Sequence, residues 1–318
     1  MKRFLTYCFV FTIPLIIGSG LIQQKALDRR FAYTKFISGD CSGHGKWLYD
    51  RIYENNNAID IAFLGSSATW NGIDDQSLTE AISNYARKDI FVTNLGYCRL
   101  GTTLYTMLVE DLVKNKSPKH IIIEVLDRPG MGSHPMFGYM ASSKQVISPP
   151  TILYNDYISD VWKSIVVRWE QVRNSLYQKP DYQPDLRKFG FTRDPNLADP
   201  IEMEELRIRK QLDSILPKTT IQEHVIFHLN WKNVEHISSI CKANDVQLSF
   251  FFINRFGRPI KVARFDKTWK KYGDIWYPPD TIYQDAGNYF DAGHLNKQGA
   301  SKLVPFLEKK LTESYLSY

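Results

Sequence analysis

Short apolar runs alternate with amphipathic stretches after the first sixty residues of the chain. Residues 58–65, 89–96 and 120–126 are apolar runs of seven or eight residues, which is typical of buried strands in a parallel sheet. Between them, residues 77–87 and 103–115 place apolar positions at helical spacing. Strand–helix–strand repeats predict right-handed crossovers and an α/β fold of three layers, with a mostly parallel sheet between helices.

The pattern changes after the third predicted strand. Residues 128–218 are rich in Pro, Tyr, Arg and Gln, and we interpret them as an insertion or cap with helices near 157–177 and 200–214. The α/β pattern then resumes with one strand between two helices, at 220–244 (helix), 246–254 (strand) and 297 to about 312 (helix).

An uncharged apolar segment occupies residues 4–22, directly after two basic residues. Its length suffices to span a hydrocarbon core, which needs about 20 helical residues. We interpret residues 1–23 as an uncleaved single-pass anchor with its N-terminus in the cytoplasm, so that the body is extracytoplasmic. A cleaved signal peptide and a buried soluble helix are the alternatives. A connecting region (24–57) and one α/β domain (58–318) would follow.

Composition narrows the possible classes of protein. Apolar residues at 43% and charged residues at 23% are close to globular averages. The net charge of +6 is spread along the chain without a basic arm, so we expect no nucleic-acid partner. No Cys-x-x-Cys occurs, and we expect neither a metal nor a cofactor. A disulfide joining Cys98 to Cys41 or to Cys241 is possible outside the cytoplasm, and buried free thiols are the alternative.

The residues that nucleophilic catalysis requires are present at separate places in the sequence. A serine hydroxyl needs a base to take its proton, and a carboxylate that orients the base. Ser67 follows the first predicted strand, and Gly65 permits a sharp turn there. Asp291 precedes His294 by three residues, just ahead of the last predicted helix. A polar turn and a helix-capping Asp are the simpler interpretations, and Ser66 is the alternative nucleophile.

Three segments carry a resemblance to the SGNH (GDSL-like) hydrolases. FLGSSATWNGID (63–74) resembles the family's first block, with Gly-Ser-Ser in place of Gly-Asp-Ser. NLGYCRLGTT (94–103) is similar to the second block, and DAGHLNKQGASKLV (291–304) is similar to the last. The resemblance implies Ser67 as nucleophile, His294 as general base and Asp291 as the residue that orients it.

The resemblance also implies donors for an oxyanion. A backbone N–H from the second block would serve, with Gly101 as our choice and Gly96 as the alternative. The third block of the family supplies an Asn after the third strand, but here the sequence at 121–135 contains none. Arg128, or a backbone N–H near Gly130, would have to replace it, and His134 is a further candidate for substrate contact. Losing one such donor can cost about 10²–10³ in rate.

We therefore expect an extracytoplasmic serine esterase or O-acyltransferase, acting on ester-linked acyl groups (acetyl above all) of an envelope glycan. Its partners would be the acylated glycan or another ester, the membrane, and a membrane-bound acyltransferase. A non-catalytic protein that binds glycan or serves as a scaffold in an acyl-transfer system is the alternative, and a lipase or lysophospholipase is a weaker one. The acyl group and its acceptor are not encoded in these motifs.

Overall fold

The computed structural model describes residues 10, 12, 13, 17–35, 41–99, 101–125, 132–175, 182–191, 194–213, 220–258, 262–291 and 293–316. The strands are β1 (Ile61–Leu64), β2 (Val92–Asn94), β3 (His120–Glu124), β4 (Gln247–Phe251), β5 (Asp274–Trp276), β6 (Tyr289–Asp291) and β7 (His294–Leu295).

The helices, in chain order, are α1 (Arg29–Lys35), α2 (Cys41–Tyr49), α3 (Ser67–Gly72), α4 (Asp75–Ala86), α5 (Thr102–Lys116), α6 (Phe137–Met140), α7 (Ser143–Val146), α8 (Pro149–Ile152), α9 (Tyr157–Ser175), α10 (Pro200–Asp213), α11 (Thr220–Ala243), α12 (Asp266–Trp269), α13 (Asp280–Gln284) and α14 (Lys297–Leu316). A π-helical turn (Asp50–Glu54) and a 3-10 turn (Ala286–Asn288) complete them, and residues 17–24 are also helical.

Strands β1 to β5 form one parallel sheet in the order β2-β1-β3-β4-β5. From β1 the chain first moves outward to β2 and then returns past β1 to β3. Right-handed crossovers therefore place α4 and α5 on opposite faces of the sheet. The reversal makes the carboxyl ends of β1 and β3 the place where an open α/β sheet usually holds a ligand.

One face of the sheet packs on α4 and α14. Alternate residues of the strands point to this face, because side chains of a strand alternate between its two faces. They form a buried apolar cluster with leucines of the two helices: Ile61, Phe63, Ile122, Phe251, Trp276, Leu78, Leu303, Leu307 and Leu311. On the opposite face, α5 packs against α11. The α/β fold with helices on both faces agrees with the sequence pattern.

The chain divides into two compact units. The first comprises residues 1–49 and 131–185, and the second comprises residues 50–130 and 186–318, including the whole parallel sheet. The expected insertion at 128–218 is therefore shared between the units. Where it is described, the expected connecting region is largely helical, with α1, α2 and the π-helical turn, and its aromatic side chains Tyr33 and Trp47 are buried.

Two further predictions concern the membrane-spanning segment and the disulfide. Within the described residues, no helix is both long enough and apolar enough to cross a membrane, although most of the predicted span 4–22 lies outside them. Cys98 is disulfide-bonded whereas Cys241 is a buried free thiol, so a pairing of these two is wrong. Burial raises the pKa of the Cys241 thiol to about 12, which leaves it unreactive.

Candidate active site

Ser67 is the first residue of a short helix at the carboxyl end of β1. Leu64 ends the strand, Gly65 and Ser66 form the turn, and α3 begins at Ser67. The Ser66 hydroxyl caps the helix by accepting the N–H of Ala68 at 3.0 Å. A Cβ on Gly65 would lie 1.8 Å from Thr69 Oγ1, so only glycine fits here. We call residues 64–72 the Ser67 turn.

A buried carboxylate at the end of β3 holds the start of the Ser67 turn. Glu124 accepts the N–H of Ser66 at 2.7 Å, the hydroxyl of Ser66 at 2.8 Å and the hydroxyl of Thr69 at 2.6 Å. It is only 5% exposed. The Ser66 hydroxyl is thereby engaged with a carboxylate and a helix N-terminus. Of the two hydroxyls, that of Ser67 is the one not engaged by Glu124.

The end of the same helix is held by Asn94, the last residue of β2. Its amide nitrogen donates to the carbonyl oxygens of Thr69, Trp70 and Ile73 at 2.8–3.0 Å. Its amide oxygen accepts the N–H of Gly96 at 2.9 Å. Asn94 is fully buried. One side chain thus binds three carbonyl groups at the carboxyl end of the short helix, of which that of Thr69 also accepts the N–H of Ile73 at 3.0 Å.

A second buried carboxylate supports this part of the sheet. Asp75 accepts the N–H of Asn94 at 2.9 Å and the N–H of Gly190 at 2.8 Å. Trp70 Nε1 donates to the carbonyl oxygen of Gly190 at 2.8 Å. Burial raises the pKa of Asp75 to about 7, against the opposing effect of those backbone N–H groups. The segment before α10 is in this way fastened beside the Ser67 turn.

His294 and Asp291 lie on a small antiparallel ribbon of β6 and β7. The two residues are paired across the tight turn of the ribbon. The Oδ1 atom of Asp291 accepts the backbone N–H of Gly293 at 2.8 Å and that of His294 at 2.9 Å. Asp291 therefore forms an Asx-type turn that fixes the backbone of the histidine it faces. We call residues 291–294 the His294 turn.

The residues after His294 fasten the ribbon to the last helix. Leu295 is buried in the apolar cluster of the sheet. Asn296 caps α14 by accepting the N–H of Gly299 at 2.9 Å, and its amide nitrogen donates to the Tyr289 carbonyl oxygen at 3.2 Å. A Cβ on Gly299 would lie 2.3 Å from the carbonyl oxygen of Asn288. The His-Leu-Asn-x-x-Gly spacing thus has a structural reason at each of its fixed positions.

The two turns meet in one continuous chain of hydrogen bonds. His294 Nε2 lies 2.7 Å from Ser67 Oγ. His294 Nδ1 lies 2.8 Å from each carboxylate oxygen of Asp291. The structure therefore brings Ser67, His294 and Asp291 together in the order that a base-activated serine requires.

The surroundings of His294 favour one orientation of its ring. Burial alone would raise the pKa of Asp291, but the hydrogen bonds from His294 and from the Gly293 N–H outweigh it, and the pKa is lowered. Asp291 is therefore an anion near neutral pH and accepts a proton-bearing Nδ1, which leaves Nε2 as the acceptor for Ser67. The ring of Phe290 stacks on the imidazole, with centroids 5.5 Å apart and planes 13° apart.

The backbone N–H of Ser67, at the start of α3, has no acceptor within the part of the chain that the structure describes. The N–H of Gly101, which precedes α5, faces the buried hydroxyl of Tyr105. Helix N-termini leave such groups unpaired and favour negative charge. The N–H of Gly96, by contrast, donates to Asn94, and a Cβ on Gly96 would meet the Trp70 backbone nitrogen at 2.4 Å. Gly96 is thus a close-packing position, which argues against it as an oxyanion donor.

The remaining predicted site residues, Arg128, Gly130 and His134, are not brought to the Ser67 turn by the described part of the structure. Arg128 and Gly130 lie outside the described residues. His134 belongs to the unit of residues 1–49 and 131–185, where it is fully buried, and its Nδ1 accepts the N–H of Met136 at 3.1 Å. That contact is a local structural one. Among the described residues, no cluster of three or more His, Cys, Asp or Glu side chains is arranged to hold a metal ion.

Sequence reasoning did not identify Asn94 and Phe290 as parts of this site. Asn94 stands in a quoted motif, Asn-Leu-Gly, but its role depends on the β1–β2 register, which pairs it with Phe63. Phe290 precedes Asp291 directly and carried no signal of its own.

A search against known protein families finds no match, and a search against curated proteins finds none either.

Proposed function

We propose that the chain is a serine esterase or O-acyltransferase of the SGNH type. The observation that carries the proposal is the unbroken chain of hydrogen bonds from Ser67 through His294 to Asp291. The N–H group of Ser67, which has no acceptor among the described residues, supports it, because an acyl transfer needs donors for a developing oxyanion.

In the first step, Ser67 Oγ attacks the carbonyl carbon of an ester while His294 Nε2 takes the hydroxyl proton. Asp291 holds the ring and stabilises the imidazolium that forms. The carbonyl oxygen becomes an oxyanion, which the N–H groups of Ser67 and Gly101 would bind. The C–O bond to the alcohol then breaks, the alcohol oxygen receives the proton from His294, and the acyl group remains on Ser67.

In the second step, the acyl-enzyme is attacked by an oxygen nucleophile that His294 deprotonates. If that nucleophile is water, the products are a carboxylic acid and free Ser67. If it is a sugar hydroxyl, the acyl group is transferred to it. Which reaction prevails depends on how well water is kept from the acyl-enzyme.

The proposed substrate is an envelope glycan that carries ester-linked acyl groups, acetyl above all. The support is the SGNH resemblance together with the apolar segment at 4–22, which we propose as a membrane anchor that leaves the body outside the cytoplasmic membrane.

The test uses the purified full-length chain with a fluorophosphonate probe and with p-nitrophenyl acetate. We expect labelling and turnover in the wild type, and loss of both in Ser67→Ala and His294→Ala. His236→Ala is the matched control, because His236 also pairs with a carboxylate (Glu110, 3.1 Å) but lies exposed on α11. It should retain wild-type activity.

The possible outcomes separate the functions. Labelling of Ser67 without turnover would identify a transferase that requires its acceptor. A preference for long acyl chains would identify a lipase or lysophospholipase. Absence of both labelling and turnover in the wild type would contradict an enzyme and favour a non-catalytic glycan-binding or scaffolding protein.

A further inference from the structure

Helix α9, in the unit of residues 1–49 and 131–185, buries three polar residues together with Val167 and exposes large apolar residues. Asp160, Ser164 and Arg168 are at most 2% exposed. Ile158 is 83% exposed and Trp162 is 65% exposed. In a soluble helix the apolar residues normally face the core, so this arrangement points to an apolar medium or partner outside the helix.

The exposed apolar residues of α9 form one continuous line. Ile158, Trp162, Ile165 and Trp169 are separated by four, three and four residues, which places them on the same side of the helix. Trp169 is 57% exposed and Ile165 is half-buried. We call these four residues the apolar stripe. Exposed apolar side chains also precede the helix in the same unit, at Ile147, Ile152 and Leu153.

The polar face of α9 holds the chain just after the N-terminal apolar segment. Ser164 Oγ donates to the side-chain oxygen of Gln23 at 3.2 Å, and Arg168 Nε donates to the carbonyl oxygen of Lys25 at 3.3 Å. The side chain of Gln171 accepts the N–H of Asp28 at 2.9 Å. The point at which the segment 4–22 joins the folded unit is therefore fixed on the same helix that carries the apolar stripe.

The charge of this unit differs from that of the rest of the chain. Its residues include twelve Lys and Arg against seven Asp and Glu, whereas the other unit has 28 against 27. Two of the twelve, Lys2 and Arg3, precede the apolar segment and would stay on its cytoplasmic side, so the rest of this unit has ten Lys and Arg against seven Asp and Glu, a net charge of +3. A basic surface is attracted to anionic lipid headgroups, by about 1 kcal/mol for each Lys or Arg near the bilayer.

We propose that the apolar stripe is a second membrane contact, which lies along the boundary between headgroups and acyl chains of an anionic bilayer. Tryptophan is enriched at that depth because its ring is apolar and its N–H is polar. A bilayer would accept the apolar side chains of the stripe and attract the excess of basic residues. It would also lie next to Gln23, where the apolar segment 4–22 ends and α9 holds the chain. The proposal rests on the proposed membrane anchoring but adds a surface that the anchor does not require.

The test measures quenching of tryptophan emission by brominated acyl chains. The full-length chain is reconstituted into phosphatidylcholine–phosphatidylglycerol vesicles, with and without bromine on the lipids. The first 22 residues contain no tryptophan, so the anchor itself contributes no tryptophan emission. Trp47, Trp269 and Trp276 are at most 4% exposed. We expect bromine-dependent loss of emission in the wild type, and disappearance of most of that loss in the double variant Trp162→Phe, Trp169→Phe.

The matched control is Trp231→Phe, which removes a half-buried tryptophan of the other unit. It should keep the wild-type quenching. Co-flotation of chain and vesicles reports the anchor separately. A chain that floats with the vesicles and shows no bromine-dependent quenching would overturn the apolar stripe as a lipid contact and favour a second copy or another protein as its occupant. A chain that does not float and is not quenched would overturn the stripe and the anchor together.

Discussion

The two turns that meet at the candidate active site are held in different ways. In the Ser67 turn, Glu124 and Asn94 come from neighbouring strands and are at most 5% exposed. In the His294 turn, the Asp291 carboxylate binds the backbone of its own loop, and the side chains of Asp291 and His294 are 45% and 27% exposed. The serine is therefore fixed by the sheet, and the histidine by a short local motif.

This difference suits the proposed chemistry. The attacking oxygen must be placed accurately, since a misplacement of about 1 Å can cost 10²-fold in rate. The base must be reached by the leaving alcohol and by the second nucleophile, and partial exposure of His294 permits this. We therefore expect substitutions in the His294 turn to act on the chemistry itself, and substitutions behind Ser67 to act through its position and through stability.

The largest expected effect is that of Asp291→Asn. The neutral amide can turn its nitrogen toward Nδ1 and so favour the wrong tautomer of His294, with Nε2 protonated. We expect kcat for p-nitrophenyl acetate to fall by about 10⁴-fold, as for loss of the orienting carboxylate in other triads. Steady-state kinetics at several pH values would measure it.

The chain offers a close control for this substitution. Asp285-Ala-Gly287 repeats the sequence Asp291-Ala-Gly293, and the Asp285 carboxylate also accepts the N–H of the glycine, at 2.9 Å. No histidine follows it. Asp285→Asn should leave kcat unchanged. Equal losses in both variants would mean that the carboxylate only shapes the turn, which would contradict a role for Asp291 in orienting the base.

A smaller effect is expected from Glu124→Gln. The amide retains one acceptor oxygen for the three hydrogen bonds but loses the charge that strengthens them, and hydrogen bonds to charged groups contribute about 1.5–3 kcal/mol. We expect a lower free energy of unfolding and a kcat reduced by up to about 10²-fold, with KM little changed. Denaturant titration and kinetics on the same preparation separate the two effects.

Glu110→Gln is the control for this charge change, because Glu110 is a partly exposed carboxylate on α5 whose partner is His236. It should change neither quantity appreciably. If Glu124→Gln lowered stability but left kcat at the wild-type value, Glu124 would be a structural residue only, and the Ser67 turn would not depend on it for its position.

The contrast between the turns also explains how much the sequence could predict. Ser67, Asp291 and His294 were found because the chemistry needs those residue types, after a recognisable strand and before a recognisable helix. Glu124 could be noticed as a polar residue at the end of a strand, but the hydrogen bonds that Asn94 and Glu124 make to the Ser67 turn could not be predicted, because they act across the register of β1 with β2 and β3. Strands β5, β6 and β7 have only two or three residues each, which is too short to show periodicity.

A further expected effect, on stability rather than on catalysis, is a pH dependence through Asp75. Its folded-state pKa of about 7 lies above its ordinary value of 3.8. Its contribution to stability is therefore fully present below about pH 4 and is lost as the pH rises through 7. Asp75→Asn cannot ionise, so the variant should gain in Tm relative to the wild type between pH 4 and 7. Each kcal/mol corresponds to about 2–4 °C.

Asp291 provides the opposite case for the same measurement. Its pKa is lowered from 3.8, so its contribution is present above that pH and is lost as the pH falls through the folded-state value. Thermal melts should show the Tm of Asp75→Asn rising relative to the wild type as the pH increases from 4 to 7, and the Tm of Asp291→Asn falling relative to the wild type as the pH increases through the lowered pKa of Asp291. The same sign of dependence in both would mean that Asp75 is ionised in the fold, held by the N–H groups of Asn94 and Gly190, and that the support of the Ser67 turn does not titrate.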